Sequence, residues 1–171
     1  MSLAGLFELL QQKPAFQQLA DRIKQFGNVP NVGLIESAKP FLIASLWHHL
    51  KVPVLVISPR PEDVRRTYSQ LLTYLPEESP IHILPETDIL AFERLSADDA
   101  TNNQRLQAIW SLFPESDRTS PPLVLASIGS VLRKTLSPDT IRECTFHLAV
   151  GQSLNLGDMF SQWIRLGYRR E

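Results

Sequence analysis

The stretch Gly33–Pro40, GLIESAKP, decides how the rest of the chain is read. It opens inside a short apolar run, Val32–Ile35, that predicts a strand, and it leads into Phe41–Leu50, whose pattern predicts a helix. A loop that grips phosphate between a strand and a helix reads GxxxxGK[ST]. Gly33 and Lys39 match that pattern, whereas Ala38 stands in place of the second glycine and Pro40 in place of the hydroxyl residue. A methyl group at Ala38 crowds the turn that should wrap the phosphates. Pro40 has neither an N–H to donate nor a hydroxyl for magnesium. Glu36 brings negative charge toward a place meant for anions, and Lys39 is left as a point charge without a cradle. The pattern reads as a nucleotide-binding fold that no longer holds nucleotide, with a vestigial phosphate loop of Gly33, Glu36, Ala38, Lys39 and Pro40. The same residues also fit a plain strand-to-helix turn. No catalytic residue, cofactor or metal is expected.

Outward from this loop, strands and helices alternate. Val52–Ile57, Ile81–Leu84, Leu123–Ser127 and Thr145–Val150 predict strands. Pro61–Leu75, Asn102–Phe113, Ser130–Thr135 and Leu156–Leu166 predict helices, with Pro61 placed for a first turn and Asn155 and Gly167 as caps. The near-continuous apolar character of Val52–Ile57 is that of a strand covered on both faces. The fold class is α/β: a mostly parallel sheet with helices on both faces, RecA-like or P-loop NTPase-like, with a degenerate phosphate loop. Residues 1–28 form a helical arm ahead of this domain, in which Leu3, Phe7 and Leu10, then Phe16, Leu19, Ile23 and Phe26, recur at helical spacing across a break at Lys13–Pro14. Residues 29–171 form the α/β domain. The longest irregular stretch is Pro85–Ala100.

A net charge of −1, from 17 basic and 18 acidic residues, gives no broad basic face for tight duplex binding. The single cysteine, Cys144, rules out an internal disulfide and fits a reducing cytoplasm. No secretory leader is expected, and no apolar run in this sequence is long enough to cross a membrane. The chain stops soon after a basic cluster of Arg165, Arg169 and Arg170, which reads as the end of a fragment of a larger protein. A monomer is expected.

Several strings occur in a telling order. Leu84-Pro85-Glu86 is followed by Phe92-Glu93-Arg94-Leu95-Ser96 and then by Arg105-Leu106. Leu123–Ser127 is followed by Ser130, Leu132 and Arg133, and Gly151, Leu156, Leu166, Gly167, Tyr168 and Arg169 close the series. From about Val32 to Arg170 the chain resembles the first domain of the bacterial transcription-repair coupling factor. It departs from that family at Ala97, where proline is usual. More distantly it resembles the first domain of UvrB, in which the phosphate loop is intact and binds ATP; in the coupling factor the loop is degenerate. The resemblance implies a non-catalytic structural or docking subdomain of an ATP-dependent DNA translocase, which removes stalled RNA polymerase and recruits UvrA in nucleotide excision repair. Its partners would be the remaining domains of the same protein, the UvrA-binding domain among them, with RNA polymerase, UvrA and DNA met by the parent. The alternative is a nucleotide- and DNA-binding first domain of a UvrB-like helicase.

The candidate contact residues toward neighbouring domains are Phe92, Glu93, Arg94, Arg105, Arg169 and Arg170. Phe92 would anchor the long loop, with the bland account an ordinary loop pinned by one core aromatic. Arg105 would either pair with Asp98 or Asp99 near its helix start or meet DNA, and the helix dipole favours the local pair. Arg165, Arg169 and Arg170 also fit a solvated helix end. His48 and His49 are adjacent on a helix and point in different directions, a poor geometry for a shared metal. Trp163 shares a helix face with Leu156 and Phe160, a face expected to pack on the sheet.

Overall fold

A computed structural model describes residues 5–27, 31–86, 99–114, 120–146, 148–153 and 155–165. The chain divides into two compact units, Met1–Arg133 and Lys134–Glu171.

The first unit is built on three parallel strands, β1 (Val54–Ser58), β2 (Ile81–Leu84) and β3 (Leu123–Ser127), in the order β1-β3-β2. Val54 lies beside Leu123 and Ser58 beside Ser127; on the other side Ile81 also lies beside Leu123. All five residues of the central strand are buried. Both crossovers use helices, α4 (Pro61–Tyr74) between β1 and β2, and α5 (Asp99–Trp110) between β2 and β3. The first connection steps over the slot of β3 and the second steps back into it. Right-handed crossovers that run in opposite directions put their helices on opposite faces of a sheet.

The two faces are filled unequally. On one, Val54, Val56, Leu123, Leu125, Ile81 and Ile83 meet α4 and α3 (Lys39–Leu50) in a cluster centred on Trp47, Val64, Leu71 and Leu75. On the other, Leu84, Val124 and Ala126 meet only Ala108 and Ile109 of α5. Trp47 is tied across the unit, its indole Nε1 donating to the Pro121 carbonyl at 2.9 Å.

The N-terminal arm forms two helices, α1 (Gly5–Gln11) and α2 (Pro14–Phe26), broken where Pro14 takes the first-turn position. Gly27 ends α2 at φ 64°, a left-handed conformation that lets its amide reach the Ile23 carbonyl. The arm packs through aromatic rings. Phe7, buried in the main core, sits 5.7 Å from Phe41 and 5.4 Å from His48, and Phe16 meets His49 edge-on at 5.5 Å. The two adjacent histidines therefore serve as docking rings for two different helices.

Two expected strands are corrected. Residues 31–35 form no strand, and Val32, Leu34 and Ile35 are exposed, the last at 73%. The slot beside β3 is taken by β1, and a four-residue run interrupted by Gly33 has little side-chain packing to offer in competition. The expected strand at 145–150 is also absent among its described residues. Thr145 is held instead in the turn that ends α7 (Pro138–Glu143), with its amide bonded to the Arg142 carbonyl and its hydroxyl to that of Ile141. Helix α7 was not expected from the sequence, although Ser137-Pro138-Asp139 supplies a cap, a first-turn proline and a first-turn acid. Ser127 caps the short helix α6 (Ile128–Leu132), which begins two residues earlier than expected.

In the second unit, Asn155 caps α8 (Leu156–Arg165), its side-chain oxygen accepting from the Gly157 amide at 3.1 Å. Phe160 and Trp163 meet edge-on at 5.8 Å on this helix. No described helix of the chain is long and apolar enough to cross a membrane.

Candidate functional site

Three parallel strands put three carboxyl ends on one edge of the sheet, where open α/β sheets place their ligands. Two clefts open there.

The larger, of 680 Å³, lies at the end of β1 and is lined by Glu36, Lys39, Pro40, Ser58, Arg60 and Arg66 among others. It contains the loop singled out in the sequence. Glu36–Ala38 is a single 3₁₀ turn that runs directly into α3. The Ala38 amide donates to the Ile35 carbonyl at 3.0 Å, and the Lys39 amide to that of Glu36. Pro40 has no amide hydrogen, so three consecutive positions present no N–H toward the cleft. The Lys39 ammonium lies 2.6 Å from Glu36 Oε1, with both side chains at least half exposed. Across the cleft, Asp63 in the first turn of α4 accepts from Arg60 Nε at 3.2 Å and Arg66 Nη2 at 2.8 Å. Every cation on this wall has a carboxylate neighbour. The Arg60–Asp63–Arg66 set was not singled out from the sequence, although its repeated spacing of three residues on one helix face is a usable signal.

The smaller cleft, of 490 Å³, lies at the ends of β2 and β3 and is lined by Pro85, Glu86, Thr101, Ser127 and Ser130 among others. Its floor is a closed polar network. A serine hydroxyl has one hydrogen to donate and two lone pairs. Ser127 spends its hydrogen on the Glu86 carboxylate. Its oxygen accepts from the Ser130 amide at 3.1 Å and lies 2.8 Å from the Ser130 hydroxyl. Gly129 makes room for this arrangement, since a Cβ there would stand 2.3 Å from Glu86 Oε1.

Arg105 closes the same corner. It is only 7% exposed, and its guanidinium donates to the Pro85 carbonyl at 2.5 Å and to the Ser130 carbonyl at 3.4 Å. Burial, and then the nearby positive charge of Arg133, work against its protonated form and lower its pKa. The side chain thus faces inward and ties the end of β2 to α6. Of the other candidate contact residues, Phe92, Glu93, Arg94, Arg169 and Arg170 lie outside the described residues. Glu86, Ser127 and Ser130 were noticed as members of strings, but the bond from Ser127 to Glu86 spans 41 positions and has no local signature. Among the described residues, no group of three or more His, Cys, Asp or Glu is placed to hold a metal ion.

No family model matches the chain. Curated relatives do. The UvrABC system protein B of Thermosipho africanus is 23% identical over 94% of this chain and 25% of its own length. The transcription-repair-coupling factor of Myxococcus xanthus is 24% identical over 90% of this chain and 13% of its own length. The UvrABC system protein B of Fervidobacterium nodosum is 24% identical over 82% of this chain and 22% of its own length. At low identity but along most of its own sequence, the chain is thus homologous to UvrB and to the transcription-repair-coupling factor, and it spans a quarter or less of either.

Proposed function

We propose that this chain is a non-catalytic docking subdomain of a transcription-repair coupling factor, working in the cytoplasm as part of an ATP-dependent DNA translocase. The parent would remove stalled RNA polymerase and recruit UvrA in nucleotide excision repair. The subdomain would act structurally, holding the neighbouring UvrA-binding domain through its irregular loop, with Phe92, Glu93 and Arg94, and through its basic end, with Arg169 and Arg170. One observation carries this reading. In the bend before α3, the amides of Ala38 and Lys39 are bonded within their own turn and the Lys39 ammonium is matched by Glu36. A triphosphate needs several unspent amides and an unmatched cation.

A UvrB-like nucleotide-binding domain is the competing reading, favoured by the size of the cleft and by Lys39, Arg60 and Arg66 on its wall. Titration of the chain with labelled ATP and magnesium separates the two. The docking reading expects no saturable binding. Micromolar binding that disappears in Lys39→Ala would overturn it and establish the competitor.

A further inference from the structure

We draw no further inference here: the strongest candidate, the cleft at the ends of β2 and β3 floored by Glu86, Ser127 and Ser130, belongs to the site already described, and its buried hydroxyls are spent on one another and on the Glu86 carboxylate, so nothing in the structure points to a ligand.

Discussion

At the β1 corner of the sheet's carboxyl edge, Lys39 and Glu36 meet with side chains 50% and 78% exposed. At the β2–β3 corner, Arg105 and Ser127 are 7% and 1% exposed, and the bonds of Arg105 to Pro85 and Ser130 and of Ser127 to Glu86 cross between elements distant in sequence. The first corner satisfies its charges locally, three residues apart, in water. The second uses polar groups as a clamp that joins the end of β2, α5 and α6. Polar chemistry in water contributes little to stability, whereas a buried network is costly to leave half-made. The position that looks functional by motif is therefore energetically light, and the one without a motif is heavy.

Breaking the clamp should have the largest effect. Arg105→Ala strands the Pro85 and Ser130 carbonyls in a buried corner and should destabilise the fold by about 3 kcal/mol, seen as a lower urea midpoint. A loss below about 1 kcal/mol would show that water replaces the guanidinium and that the corner is not a clamp. Gly129→Ala should come next. The added methyl group displaces the Glu86 carboxylate from Ser127, at a cost of about 1–2 kcal/mol. The same substitution in a Glu86→Ala background should cost much less, and simple additivity in that double-mutant cycle would count against the contact.

His82 gives a pH test on the same side of the sheet. It lies on β2 in a small cleft beside Gln104 and Gln107, and burial lowers its pKa from the ordinary 6.5. Unfolded chains then hold the extra proton between the lowered value and 6.5, so stability should fall as pH drops through that window and level off above it. His82→Gln should remove this part of the slope in pH-dependent melts, and an unchanged slope would assign it to other groups.

The smallest effect belongs to the exposed corner. Lys39→Ala should change stability by less than about 0.5 kcal/mol, because the ion pair with Glu36 lies in water. A thermal shift of several degrees in that variant would mean that Lys39 is engaged more deeply than its exposure indicates, and the contrast between the corners would fail.

Much of the architecture was legible because it rests on local rules. Alternating apolar segments, a first-turn proline at Pro61 and a cap at Asn155 placed the three strands and most helices within a few residues. The two strand expectations that failed, at 32–35 and 145–150, show where such rules end. An apolar run becomes a strand only if a neighbour offers it a free edge, and that depends on strand order. The candidate site divides in the same way. The turn from Glu36–Ala38 into α3 could be read from residue types alone, since Pro40 suits a first helical turn. The clamp could not. Arg105 reads as a helix-surface arginine near acidic neighbours, and only the crossover through α5 turns it inward.

The amino-acid sequence by itself determined the class of fold and the order of most of its elements, because periodicity, capping and backbone restriction act within a few residues. Tertiary structure alone decided which strand lies at the edge, which corner is buried and which polar groups meet. Those outcomes depend on contacts between segments tens of residues apart, whose partners are chosen by packing rather than by neighbours in the chain.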